Sequence, residues 1–154
     1  MIVTIKPCTV AEIEGNPHFP ALAQEYASEA AIHGLPAPIE KLAAYRLIEA
    51  SGCFQGYGAF LDDEKLIGFV AVLTPVIPHY GVAIAVSESF FVAAAHRKSG
   101  AGIKLLRAAE RHARRAGSPG LLVSAPYGGR LARVLPHLGY RETNRVFFKE
   151  MADA

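Results

Sequence analysis

Three consecutive strand-like segments in the middle of the chain restrict its fold more than any other feature. Gln55 to Leu61 reads as a strand, and Asp62-Asp63-Glu64-Lys65 as a polar hairpin turn. Leu66 to about Val76 is a continuous apolar run, the pattern of a strand buried on both faces of a sheet. After the Pro75–Pro78 turn region, Gly81 to Ala93 makes a third, longer strand. Strands joined so closely pair antiparallel, because a parallel return needs a crossover of about a dozen residues or more. A simple doubly wound parallel fold is thereby excluded.

The flanking segments complete the order. Ile2 to Ile5 is a short strand. Asn16-Pro17 starts a helix whose apolar residues Phe19, Leu22, Tyr26 and Ala30 recur at helical spacing until Gly34 and Pro36 stop it. A second helix is expected from Ile39 to about Ala50, ending before Gly52. Downstream come a helix to about Ala116, a short strand Leu121–Ser124, a short helix Gly129–Leu138 and a last strand Arg145–Met151. The order β-α-α-β-β-β-α-β-α-β predicts an α+β (mixed α/β) fold over one domain, residues 1–154. Its central sheet is mixed and mostly antiparallel, with helices on its faces.

Composition adds exclusions. With 51% hydrophobic and 19% charged residues the chain can bury a sizeable core and is not disordered. A net charge of +2 gives no bulk electrostatic case for nucleic acid. Cys8 and Cys53 have no close pairing, and no His/Glu spacing of a metal site occurs, so no metal is expected. The start MIVTIKPCTV lacks the features of a signal peptide, and no apolar run approaches the ~20 residues that span a bilayer. A soluble, cytoplasmic protein without a membrane partner is expected.

The chemistry-bearing stretch is HRKSGAGIKLL, residues 96–106. Gly100 and Gly102 remove side chains where a strand hands over to a helix, so that successive N–H groups can converge on one ligand. The helix N-terminus adds positive potential, and Arg97 and Lys98 add formal charge. A phosphate or pyrophosphate suits all three. The dinucleotide motif G-x-G-x-x-G fails, because Leu105 stands at the third glycine, and no P-loop pattern is present.

Arg97-Lys98-Ser99-Gly100-Ala101-Gly102 resembles the Arg/Gln-x-x-Gly-x-Gly/Ala motif of the GCN5-related N-acetyltransferases (GNAT superfamily), in style nearest to phage-encoded members. Phe90-Phe91-Val92 is similar to the strand that pairs with the pantetheine arm in that family, and Leu138-Gly139-Tyr140 to the Gly-Phe/Tyr pair after its last helix. The resemblance implies acetyl-CoA as cosubstrate, held by Phe91 and Val92 along the arm and by Arg97, Lys98, Ser99, Gly100, Ala101 and Gly102 at the pyrophosphate. It implies transfer to a small-molecule or peptide amine in a ternary complex, and dimers are frequent among its members, so a homodimer is expected. One departure stands out. Where family members carry Asn and Tyr in the last helix, this chain has Gly128 and Leu135, so the usual acid for the departing thiolate is missing.

Acyl transfer to an amine calls for a base. Sequence parity puts Ile84, Val86, Glu88, Phe90 and Val92 on one face of the long strand. A carboxylate among apolar neighbours exchanges protons closer to working pH, which nominates Glu88 as base. Tyr80, at the strand turn beside His79, is the second catalytic candidate. On the first helix, Tyr26 and Glu29, with Glu25, would face a cationic amine; the same glutamates also fit a solvated i, i+4 pair. Tyr127 and Tyr140 are candidates to replace the missing acid. The helix after the motif sets Leu106, Ala109, Ala113 and Ala116 against Lys104, Arg107, Arg111 and Arg114. That basic stripe reads as a solvated face beginning near the nucleotide phosphates; no aromatic platform accompanies it, so no nucleic-acid partner is expected. Two rival readings follow, a non-catalytic acyl-CoA-binding or regulatory module and a nucleic-acid-binding domain.

Overall fold

A computed structural model describes residues 1–152; Asp153 and Ala154, part of the expected 1–154 domain, lie outside the described residues. From the N-terminus the chain runs β1 (Val3–Cys8), α1 (Val10–Glu14), α2 (Phe19–Ala30), α3 (Ala43–Ala50), β2 (Phe54–Leu61) and β3 (Lys65–Leu73). It continues through the two-residue strands β4 (Val76–Ile77) and β5 (Val82–Ala83) to β6 (Ala85–Val92), α4 (Ala101–Arg115), β7 (Leu121–Val123) and α5 (Arg130–Val134). The main sheet has the order β1-β2-β3-β6-β7. Its first four strands pair antiparallel and β7 joins β6 in parallel, so the sheet is mixed as expected.

Each face of the sheet carries its own apolar cluster. On one, Ala101, Leu105, Ala108, Ala109 and Ala113 of α4 pack with Ile67, Val70, Val72, Ala85 and Val92. The small alanines let the helix axis sit close to the strands, while Leu105, fully buried, fills the space between them. On the other face, Phe19 and Leu22 of α2 pack with Leu66, Phe69 and Phe91. The two central strands approach unusually closely at Gly68, where an added Cβ would lie 2.7 Å from the Phe91 carbonyl oxygen. Only glycine permits that approach.

Several boundaries differ from the sequence expectation, each for a local reason. Helix α1 was not expected. It is capped by Thr9, whose side chain accepts from the Glu12 amide at 3.1 Å, and Thr9 to Glu12 is the spacing of a capping box. The second expected helix begins at Ala43 rather than Ile39, because Ile39 has φ +49°, outside the helical region. The apolar run expected to reach Val76 leaves the sheet at Leu73 and re-forms as β4. The long 81–93 strand is likewise broken at Ile84, whose amide donates to the Pro75 carbonyl at 3.0 Å. The last helix is α5 followed by a 3-10 turn over Leu135–Leu138, since Pro136 brings no amide to continue an α-helix.

The last strand, expected at Arg145–Met151, does not form. Residues 141–152 have no regular structure and are exposed, Val146 at 90% and Phe147 at 87%. Strand-forming residues need a free edge of matching length, and β7 offers only three residues. The tail instead crosses the α2–α3 loop, where the Phe148 and Glu150 side chains lie against Gly34. Among the described residues no helix is long and apolar enough to cross a membrane.

Candidate active site

The parallel pairing of β6 with β7 covers only Ala85–Ser87 against Leu121–Val123. Beyond it β6 runs on to Val92 while β7 ends and the backbone turns away at Ser124, and the sheet opens. A cleft of about 470 Å³ occupies the opening. Phe90, Phe91 and Val92 form one wall, Tyr26 and Glu29 of α2 one end, and Gly100, Gly102 and Leu106 the entry to α4. The far wall is Pro126 to Leu131, of which the sequence reading nominated only Tyr127, although Gly128-Gly129 ahead of a helix was a signal for the rest.

At the α4 end, Gly100 caps the helix with φ +84°, a left-handed conformation that suits glycine. The first closed helical hydrogen bond runs from the Lys104 amide to the Gly100 carbonyl, so the Gly102 and Ile103 amides have no partner within the helix. Gly102 has no packing reason to be glycine: an added Cβ would make ordinary contacts with Phe90 at 3.7 Å and Val92 at 3.9 Å. A residue kept small where the fold does not demand it, beside free amides in a cleft, fits a ligand approaching the backbone. The remaining motif residues support the loop. Ala101 is fully buried in the core, Ser99 donates to the His96 carbonyl at 2.6 Å and accepts from the Ala101 amide at 3.3 Å, and Lys98 is exposed.

Arg97 lies in the cleft wall, and two of its nitrogens are engaged inside the protein. Nε donates to the Val92 carbonyl at 3.0 Å, Nη2 pairs with Glu29, and the guanidinium stacks over Phe91 at 5.4 Å. Glu25 accepts from the Ala94 amide at 2.8 Å. Two glutamates of α2 therefore clamp that helix onto the 93–97 turn, Glu29 through its Oε2.

The face expected for Glu88 is altered by a β-bulge. Ala71 faces Ser89 and Val72 faces Ser87, leaving Glu88 as the extra residue of β6. Beyond the bulge the parity is reversed, so Phe90 and Val92 turn to the α4 side together with Ala85, and Phe91 to the α2 side. Glu88 is exposed rather than enclosed by an apolar row, and it is not among the residues lining the cleft. It has a specific partner instead: its Oε2 accepts from the Tyr45 hydroxyl at 2.6 Å. Burial first, then the Glu88 carboxylate, push the Tyr45 phenol well above its ordinary range. Burial and the charge of Glu88 push Tyr26 up to about 12. Tyr26 lines the cleft, so Glu88 acts electrostatically on its wall. Tyr45 was not recognised in the sequence, because nothing in its spacing announces a partner 43 residues away.

The model of the acetyltransferase (GNAT) family matches residues 19–129, spanning both clamped glutamates, the bulge and the glycine turn. The chain belongs to the GNAT acetyltransferase family. Solved structures agree with it in fold. AAC(6')-Iy, solved with a bisubstrate analogue of CoA and monomethyl-acetylneamine, superposes with a TM-score of 0.74 at 20% identity over 99% of this chain and 100% of that one. A ribosomal-protein-alanine N-acetyltransferase from Brucella melitensis biovar Abortus 2308 gives 0.69 at 17% identity, covering 97% and 98%. A transcriptional regulator from Bacillus halodurans C-125 gives 0.73 at 20%, covering 97% and 100%. Comparison with curated protein sequences finds no match.

The GNAT departure at Leu135 is a buried apolar side chain. Among candidates to replace the missing acid, Tyr140 donates to Glu110 at 2.7 Å and does not line the cleft, whereas Tyr127 is fully exposed at its margin. Tyr80 sits on the exposed tip between β4 and β5, stacked edge-on with His79 at 4.7 Å, and is not part of the cleft wall.

Proposed function

We propose that this GNAT member is an N-acetyltransferase that moves an acetyl group from acetyl-CoA directly to a primary amine, with both bound at once. The observation that carries the reading is the cleft opened between β6 and β7, which ends on the unpaired amides and dispensable side-chain space of Gly102. Phe91 and Val92 would hold the pantetheine arm, and the 97–102 turn the pyrophosphate, with Gly100 and Gly102 admitting it and Arg97 bracing the turn from behind. Acetyl-CoA supplies an acetyl group already activated as a thioester.

The chain supplies the rest. An amine arrives as an ammonium ion and must lose a proton before it can attack. Glu88, solvent-accessible and fixed at one oxygen by Tyr45, takes that proton on the acceptor side of β6. An amide of the Phe91–Val92 segment polarises the acyl oxygen. Tyr26 and Tyr127 are the phenols of the cleft, and with water they are the proton sources for the departing thiolate that Leu135 cannot be. Residues 9–50, which build the acceptor side, contain six glutamates against Lys41 and Arg46, a balance that draws in cationic amines. The acceptor classes consistent with this are peptide N-termini, lysines, polyamines and amino sugars.

The test is transfer from acetyl-CoA to a panel of those amines. Glu88→Gln is expected to lower kcat by about 10²–10⁴ while leaving acetyl-CoA affinity unchanged. Tight CoA binding with no transfer to any amine would establish instead the non-catalytic acyl-CoA module that the buried Leu135 favours. Nucleic-acid binding that weakens steeply with salt and survives Gly100→Glu would support the nucleic-acid reading.

A further inference from the structure

We propose that Tyr45 is a positioning residue, holding the Glu88 carboxylate in the one orientation that receives the amine's proton. This inference rests on the acetyltransferase reading above.

The bulge in β6 removes Glu88 from the ladder with β3, so the sheet itself does not orient its side chain. An exposed glutamate on an unpaired residue has several rotamers open to it. Among the described residues Tyr45 is the one hydrogen-bond donor to that carboxylate, and no lysine or arginine pairs with it. The groups facing Glu88 are Tyr45 from α3, Tyr26 from α2 and its own neighbour Ser89, which abuts the same Tyr45 phenol. Tyr45 is itself anchored, half-buried with its ring edge-on to Phe54 at 6.2 Å and 74°. The phenol therefore fixes Oε2 and leaves Oε1 open.

Direction matters as much as contact. The Tyr45 phenol is held protonated, so it donates and does not compete for the amine's proton. The proton that leaves the ammonium ends on Glu88, and the Tyr45 O–H bond stays intact throughout.

A double-mutant cycle tests this. Tyr45→Phe, which keeps the ring on Phe54, is expected to lower kcat about tenfold in the wild-type background with the KM for acetyl-CoA unchanged. In the Glu88→Gln background the same change should cost nothing further, since Tyr45 acts only through that carboxylate. An equal loss in both backgrounds, or none in the wild type, overturns the proposal. A second readout needs no turnover: in crystal structures the Glu88 side chain should hold one rotamer in the wild type and spread over several in Tyr45→Phe. The same single rotamer in both also overturns it. If the wild-type protein acetylates no amine, the function reading falls, and the rotamer comparison alone decides whether Tyr45 holds Glu88.

Discussion

Gly102 separates what the fold needs from what the cleft needs. Its backbone is ordinary helix, and a methyl group there would meet only van der Waals contacts from Phe90 and Val92. Alanine is the better helix former by up to about 1 kcal/mol. Gly102→Ala is therefore expected to leave the melting temperature unchanged or slightly raised and, as the Gly/Ala of the family motif allows, to keep acetyl-CoA binding. Gly102→Glu should weaken that binding by about tenfold or more, measured by calorimetric titration beside a thermal melt. A fall in the melting temperature of Gly102→Ala would return the glycine to a packing role. The glycine pair was legible in the sequence because its spacing is local. Tyr45 was not, since its partnership with Glu88 depends on α3 docking over a bulge. The pairing of Glu29 with Arg97 was hidden for a related reason, as Arg97 comes from a turn 68 residues away.

At the level of elements, most strands and helices could be read from apolar periodicity and turn residues, and β2, β3 and α4 agree with it to within a few residues. Reading failed where an element depends on a neighbour. The segment Arg145–Met151 has strand composition but no edge to join, and β6 reverses its faces through a bulge that one sequence does not display. The close contact of β3 with β6 at Gly68 gives a sharp prediction. A Cβ 2.7 Å from the Phe91 carbonyl would have to push apart the two strands beside the cleft. Gly68→Ala should cost about 1–3 kcal/mol in a denaturant melt, as over-packing of cores does, and should also raise the KM for acetyl-CoA. Preserved stability would mean that the strands can give way freely.

Across the whole molecule charge is unevenly divided. Residues 9–50 are acidic, while the chain from the glycine turn onward carries Lys98, Lys104, Arg107, Arg111, Arg114, Arg115, Arg130 and Arg133. Net charge hides this, because residues 1–96 carry ten acidic against four basic side chains and offset most of it. A polyanionic cosubstrate approaching the basic half should be steered toward its cleft, and surface steering is screened over about 10 Å at 0.1 M salt. The kcat/KM for acetyl-CoA is thus expected to fall several-fold between low and 0.5 M salt while kcat changes little, which initial-rate kinetics across a salt series would show. Equal loss in both would indicate a structural effect of salt.

The clamp of α2 onto the 93–97 turn has a consequence for how such an enzyme can diversify. Glu25 and Glu29 tie α2 to the 93–97 turn, which leads into the glycines that line the cleft. A lineage adapting to a bulkier amine by shifting α2 outward would strain Arg97 and with it the carbonyl of Val92. New acceptors would therefore come more readily through changes in the β4–β5 tip or the α2–α3 loop, which hold no part of the clamp, than through the helix itself.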